Sequence, residues 1–381
     1  MVCSVCHSDN ITVLTDILDI PVFCNVLLKS RTEALKAPKG DIKLCSCNNC
    51  SHVFNASFKP EIMDYDQDYE NSLHFSSVFN KYAENLADYI ISKYNIRNKD
   101  IIDIGCGKGD FLNIICSRGN NKGTGFDRSY VPKHDDKNIK FIQDFYSDKY
   151  SSYNAELILC RQVLEHIPKP GEFLNSFDEA IKSKDSSIVF FEVPNAMYTI
   201  ESLGIWDLIY EHCSYFTAHS LYSLFNSYGY AVLDLKKQFS GQYLSIELSP
   251  DKSKSGNISV PIPDKYLFNK FKKEYESKIE YWKQVIASQK SEGKKTVVWS
   301  AGSKGVTYLN LVDTEGYINF VVDVSPQKQN LFVPGTGQQI ISPDKLKEIN
   351  PDTVIIMNPV YELEIRNTLE NNGILCKILK A

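Results

Sequence analysis

The chain of 381 residues has no surplus of positive charge: 42 Lys and Arg stand against 47 Asp and Glu, for a formal net charge of −5. Proteins that track phosphate backbones carry a basic excess, so a nucleic-acid partner is disfavoured. Long apolar runs are lacking too. The most apolar stretches, such as Ile318 to Val324, are strand-length and fall short of the roughly 20 residues a membrane span needs. The first residues carry no apolar signal segment, and the expectation is a cytoplasmic protein with no membrane partner. Low-complexity tracts and internal repeats are absent. With 43% hydrophobic and 23% charged residues the composition is that of a folded globular protein, and the length suits two or three domains.

Cysteine is present in odd number and uneven placement: there are 11, six of them in the first 50 residues. A disulfide scaffold would be shorter and even in count. Cys3 and Cys6 make one CxxC pair and Cys47 and Cys50 a second, about 40 residues apart. That is the layout of a tetrahedral zinc site with four cysteine ligands, with Cys45, His7 and His52 near enough to substitute. Four protein ligands leave no position for a catalytic water, so the expected role is a structural staple for a segment with little core.

Residues 1–70 read as this knuckled, loop-rich module. Phe79, Tyr82, Leu86, Tyr89 and Ile90 predict an amphipathic helix from Ser76 to Tyr94. Strand signals follow at Asp100–Ile104, Gly123–Phe126, Ile139–Ile142, Glu156–Cys160 and Ile188–Glu192, with a helix from Gly109. Such alternation over residues 71–248 predicts a parallel sheet flanked by helices. The polar stretch 249–263 reads as a linker. Beyond it, Phe268, Phe271, Tyr275, Ile279, Trp282 and Ile286 form one stripe of a helix about 40 Å long. A third domain, 264–381, alternates again through Thr296–Trp299, Ile318–Val322 and Thr353–Met357.

The most specific short motif runs from Ile101 to Asp110, an apolar strand followed by Gly105-Cys106-Gly107-Lys108-Gly109 and a helix. Glycines serve where backbone takes positive φ or approaches a ligand closely. The spacing is GxGxG, tighter than the GxGxxG of dinucleotide sites, and Asp103 stands on the strand before it. An acidic residue there suits a cationic ligand better than a pyrophosphate. The stretch resembles the first motif of class I S-adenosylmethionine-dependent methyltransferases. Asp127 ends the second strand, where a carboxylate would accept the ribose hydroxyls. Asp144-Phe145 follows the third, at the adenine position, and Leu157 to Gln162, with Arg161, matches the fourth-strand motif.

Glu211-His212 lies amid aromatics, and His166 just past the fourth strand, where strand ends face the cofactor crevice. A neighbouring carboxylate orients an imidazole and favours its protonated form. His74, His134 and His219 read as structural. Here the chain resembles the sugar C-methyltransferases, which methylate carbon 3 of a nucleotide-bound 4-ketosugar. The likeness covers the CxxC module, the core, Glu211 to Phe216, and the third domain through Ala301-Gly302-Ser303-Lys304-Gly305, Tyr308-Leu309-Asn310, Val322-Asp323, Lys328-Gln329 and Pro334-Gly335-Thr336. Two loops depart from that family: Cys106 to Gly109 stands where Asn-Asp-Gly is common, and Tyr210-Glu211-His212 where His-Glu-His is common.

The resemblance implies an α/β fold of three parts: a small zinc module, a class I methyltransferase core and a Rossmann-like third domain. It also implies S-adenosylmethionine and Zn2+ as cofactors and a nucleotide-sugar substrate. Carbon offers no lone pair, so the reaction needs a base, a donor to the enolate oxygen, and alignment with the methyl group. On this reading His212 is the base, Glu211 sets its orientation and charge, and His166 with Tyr69 or Tyr210 donates to the ketone oxygen. Ser303, Lys304 and Gly305 would meet the diphosphate, and Asp323 a ribose or base. The competing expectations are an O- or N-methyltransferase with the same cofactor loop, a zinc-bearing RNA methyltransferase, and a scaffold with a retired site. The first 60 residues carry six Lys or Arg against five Asp or Glu, which disfavours RNA.

Overall fold

The computed structural model describes residues 1–63, 72–131, 137–175, 187–256, 258–313 and 316–381. The N-terminal module is a sheet rather than the expected run of loops. Strands β1 (Ile11–Pro21) and β2 (Lys39–Cys47) pair antiparallel from Ile11↔Cys47 to Pro21↔Lys39, and β3 (Val53–Asn55) joins β2. Register shifts after Val13 and after Ile17 break the alternation, so Leu14, Ile17 and Ile20 are buried three residues apart. A period-2 search does not find such a strand.

The core contains β4 (Asp100–Ile104), β5 (Lys122–Phe126), β6 (Ile139–Ile142), β7 (Leu157–Arg161) and β8 (Ile188–Pro194). After β8 the chain makes a short strand, β9 (Ser214–Tyr215), then β10 (Ala231–Gln238) and β11 (Tyr243–Ser249). The large sheet has the order β6-β5-β4-β7-β8-β11-β10. Its first five strands are parallel, while β11 runs antiparallel to both β8 and β10. Counted within this sheet the order is 3-2-1-4-5-7-6, the class I methyltransferase arrangement. The short strand β9 leaves the core to pair with β3, Tyr215 opposite Val53.

The third sheet is built from β12 (Thr296–Trp299), β13 (Phe320–Val322), β14 (Gln339–Ile341), β15 (Thr353–Ile356) and β16 (Lys377–Lys380). All its pairings are parallel, in the order β14-β13-β12-β15-β16. Helix Lys265–Ser291 precedes it and buries Phe268, Phe271, Tyr275, Trp282 and Ile286. These side chains share one cluster with Leu14 and Ile42 of the first sheet, Trp206 of the core and Tyr308 of the third domain. The helix therefore binds all three parts together through an apolar stripe. No helix among the described residues is long and apolar enough to cross a membrane.

Candidate active site

The cofactor loop leaves β4 with three glycines in the left-handed region: φ is 71° at Gly105, 56° at Gly107 and 82° at Gly109. The N–H groups of Gly105 and Cys106 donate to the Phe126 carbonyl at 2.8 and 3.2 Å, which ties the turn to β5. A side chain on Gly105 would place its Cβ 2.2 Å from Val163 Cγ2, so this glycine answers to protein packing. Asp127 takes up the turn: Oδ2 accepts from Gly107 N at 2.8 Å, and Oδ1 from the N–H and hydroxyl of Ser129, both at 2.7 Å. Asp103 is buried beside the turn. Burial pushes its carboxyl up to about 7, against the pull of Arg161 and with the help of Asp127. A cationic ligand is what such a carboxylate lacks, so the residues fit a sulfonium and amino group. Arg161 pairs with buried Glu192 at 2.8 Å and stacks over the Phe111 ring at 3.9 Å.

The turn opens into a cleft of about 300 Å³ lined from two directions. From the core come Asp103, Gly105, Gly107, Lys108, Arg161 and Gln162, at the point where strand order reverses between β4 and β7. From the third domain come Ser300, Gly302, Ser303, Lys304, Met357 and Asn358, at the equivalent reversal between β12 and β15. Ligands of open α/β sheets bind at such reversals, and here two of them face one space. Gly109, Asp127, Asp144, Phe145, Gly305 and Asp323 are not on its wall. Asp144 is engaged by Lys149 and by the Tyr150 hydroxyl at 2.7 Å, and Phe145 lies exposed under Arg128.

The third domain repeats the core's device. Asp323, at the end of β13, accepts from Ala301 N at 2.8 Å and from Ser325 N at 2.9 Å, as Asp127 does from Gly107 and Ser129. Its carboxylate thus holds the Ser300–Gly302 turn. Gly305 is buried under that turn, where a Cβ would sit 1.9 Å from the Ser300 carbonyl oxygen. Ser303 and Lys304 open helix Ser303–Val312 toward the cleft. Lys304 pairs with Asp207 of the core and lies over the Tyr198 ring. Lys328, part of the Lys328-Gln329 family match, is buried with Nζ 3.4 Å from the Ala301 carbonyl and lines the same cleft.

His212 lines the cleft as well, packed edge-on against His166 at 4.8 Å between ring centres. Burial, then His166, then Lys304 hold its pKa well below the usual histidine range, so it is a neutral imidazole with a lone pair. Its Nδ1 has no hydrogen-bond partner among the described residues. His166 is neutral too, lowered to about 4 by burial. Its Nδ1 lies 2.9 Å from the Glu211 carbonyl, and a carbonyl only accepts, so Nδ1 carries the hydrogen. The lone pair is then on Nε2, and the expected donation from His166 to a ketone is corrected: this tautomer accepts. Glu211 also departs from expectation. Its Oε2 accepts from Cys24 N at 3.1 Å, and the charges acting on His212 are His166 and Lys304. The hydroxyl of Tyr210 accepts from Lys59 N at 2.9 Å, and its ring packs on Phe58 and Gly40 outside the cleft. Tyr69 and His134 lie outside the described residues. Glu165, unmarked in the sequence reading, is buried on the cleft wall, and burial pushes its carboxyl up to about 8.

The four thiols of Cys3, Cys6, Cys47 and Cys50 all lie within 4.8 Å of one another, with Cys3–Cys50 at 3.6 Å and Cys6–Cys47 at 3.5 Å. A tetrahedral ion with bonds of about 2.3 Å has sulfur–sulfur edges of roughly 3.8 Å, and the donor set fits one. Val5 N and Asn49 Nδ2 hydrogen-bond Cys3 and Cys6 sulfur, the outer support that thiolate ligands take.

Residues 75–235 match a methyltransferase domain and residues 259–373 a C-methyltransferase C-terminal domain. The chain is similar to C-methyltransferase NovU of Streptomyces niveus, at 23% identity over 77% of this chain and 75% of that protein. The chain is also similar, over 28% of its length, to a ubiquinone biosynthesis O-methyltransferase of Actinobacillus pleuropneumoniae, 29% identical and covering 51% of that protein. Among solved structures, the methyltransferase domain of bacterial CtHen1 overlays 45% of this chain and 98% of its own, at 17% identity and a TM-score of 0.35. The fold assignment rests on the strand order and the domain match rather than on that overlay. The second match, to a C-methyltransferase C-terminal domain, falls on the domain that forms the far wall of the cleft, and the two domain matches together mark the chain as an S-adenosylmethionine-dependent C-methyltransferase.

Proposed function

We propose that the acceptor is a nucleotide-linked 4-ketosugar, methylated at carbon 3 through an enolate. The observation that carries this reading is the shared cleft. One strand-order reversal brings the Gly105–Gly109 turn to it, the other brings Ser303, Lys304 and Lys328, and His212 lines it with a neutral imidazole. Asp103, Asp127, Gly105, Gly107, Gly109 and Arg161 would hold the cofactor, with Asp144 and Phe145 at the adenine end. Bound there, S-adenosylmethionine supplies an electrophilic methyl on sulfur. His212 takes the proton from the carbon beside the ketone, the C–H pair becomes the enolate, and that carbon attacks the methyl in line. The sulfonium would supply the methyl and keep the electrons of its carbon–sulfur bond. Tyr69 is the proposed donor to the enolate oxygen. The helix N-terminus at Ser303, with Lys304 and Lys328, would meet the diphosphate, and Asp323 would support that turn from behind.

The four N-terminal thiolates are proposed to hold zinc in a structural role. The cysteines form no disulfide among the described residues, which suits a reducing, cytoplasmic setting. A second reading, oxygen methylation, is favoured only by the O-methyltransferase relatives, and the first of these matches just 28% of the chain. The deciding experiment is mass spectrometry of nucleotide 4-ketosugars incubated with S-adenosylmethionine, wild type beside His212→Ala. A methylated product that loses more than 100-fold in the variant, with cofactor binding intact, supports the enolate route. A product that survives the substitution overturns His212 as base, and no product from any ketosugar overturns the substrate class.

A further inference from the structure

Glu165, His166 and His212 bring one carboxylate and two imidazoles to a single point of the cleft wall, with one ligand atom of each within 4.8 Å of the other two. They arrive from separate segments. Glu165 and His166 belong to the turn Leu164–His166 after β7, and His212 lies two residues before β9. Glu165 is 1% exposed, and its Oε2 has no hydrogen-bond partner among the described residues. The same holds for His212 Nδ1. A buried carboxylate oxygen and a buried imidazole nitrogen left in this state, on side chains that converge within 4.8 Å, are costly unless a ligand meets them.

The support is also of the kind that ligating histidines take. His166 gives Nδ1–H to the Glu211 carbonyl, which fixes the ring and leaves Nε2 as the nitrogen with the lone pair. A carboxylate and two imidazoles on one face leave the remaining positions of a metal ion open to small oxygen ligands. An ion held at about 2.1 Å from each would bring its ligand atoms to roughly 3 Å apart. Small rotations of the three side chains cover that difference.

We infer that Glu165, His166 and His212 form a second metal site, for a first-row divalent cation of the manganese-to-zinc series, and that the bound cation stops methyl transfer. Binding uses the carboxylate of Glu165 and one nitrogen lone pair from each ring, with water on the open positions. The inhibition rests on the reading of His212 as base, because a lone pair given to a cation is not available for the substrate proton. The site itself does not depend on that reading.

The test starts from enzyme carrying its one thiolate-bound zinc and no other metal. Titration with Co2+ is followed by calorimetry and visible absorption, where bands of a nitrogen–oxygen site are weak and those of a thiolate site intense. One added Co2+ with weak bands, lost in Glu165→Gln, is the expected result, and methyl transfer should fall in proportion to occupancy. Pulsed EPR of the wild type with Mn2+ should show couplings to two imidazole nitrogens, a readout that needs no variant. No added ion in the wild type, or equal binding in a Glu165→Gln protein that melts normally, overturns the site. Binding without loss of activity, or with a gain, overturns the inhibition. Activity that survives His212→Ala in metal-free buffer overturns the base while leaving the Co2+ result to stand or fall alone.

Discussion

Asp103 carries a carboxyl whose charged form is disfavoured until a cation arrives. Burial raises it to about 7, so near neutral pH half of the cofactor-free protein holds a proton there. A sulfonium or amino group binds the ionised form, and binding below pH 7 must first release that proton. Affinity for S-adenosylmethionine should therefore rise through pH 6 to 8 and fall about tenfold per unit well below 7. Stability without cofactor runs the other way. The native state binds more protons than the unfolded chain between roughly pH 4 and 7, so this group's contribution is full below about 4 and is lost as pH rises through 7. Calorimetric binding of the cofactor against pH, wild type beside Asp103→Asn, checks both. The variant should bind at least tenfold more weakly and with a flat profile. An unchanged slope in the variant would assign the pH dependence to another group.

At the scale of elements, the N-terminal sheet and the site are joined by hydrogen bonds. Strand β9 pairs with β3, and β3 begins three residues after Cys50. His212 is two residues before β9, so the order of the thiolate module reaches the proposed base through one short ladder. If the four thiolates hold zinc, Cys47→Ser should lower metal content and shift the thermal melt down by several degrees, since loss of a structural zinc ligand removes folding energy directly. Activity should fall further than S-adenosylmethionine affinity, because the Gly105–Gly109 turn is held by Phe126 and Asp127 instead. Atomic absorption, melting curves and cofactor titration on one preparation read this out. What the sequence revealed divides along the same lines. Strands β4, β6 and β12 have the expected bounds, because these parallel strands are short apolar runs closed by glycine or polar turns. The first sheet was hidden by its two register shifts and by the prominence of its cysteines. As residues of the cleft wall, Asp103, Arg161, His166 and Lys304 were legible from their places on or just after strands, and His212 from its place beside Glu211 amid aromatics. Glu165 was not, since a carboxylate beside a named histidine carries no spacing of its own. The tautomer of His166 was not legible either, as it depends on a carbonyl 45 residues away.

Over the whole molecule, two α/β sheets share one crevice, and the contacts across it decide what the second sheet contributes. Glu364 of the third domain accepts from the Ser76 hydroxyl at 2.6 Å and from Ser77 N at 3.0 Å, which caps helix Ser77–Tyr94 of the core. Asn358 and Gln242 exchange amide hydrogen bonds at 2.9 and 3.2 Å. These contacts fix the walls without the help of Lys304, so the Lys304–Asp207 pair inside the cleft is open to a different duty. An ammonium has three hydrogens to give, and a diphosphate carries more charge than one carboxylate. If Lys304 serves the substrate, Lys304→Ala should raise KM for the nucleotide sugar 10- to 100-fold, about 1.4 to 2.7 kcal/mol, with cofactor affinity unchanged. Asp207→Ala should do no such harm, because it removes the competitor and leaves Lys304 to the phosphates. If the pair served only to join the domains, the two substitutions would break the same contact and cost the same. Steady-state kinetics on both single variants and the double variant separate the cases, since a substrate contact makes Lys304→Ala dominant whether or not Asp207 is present.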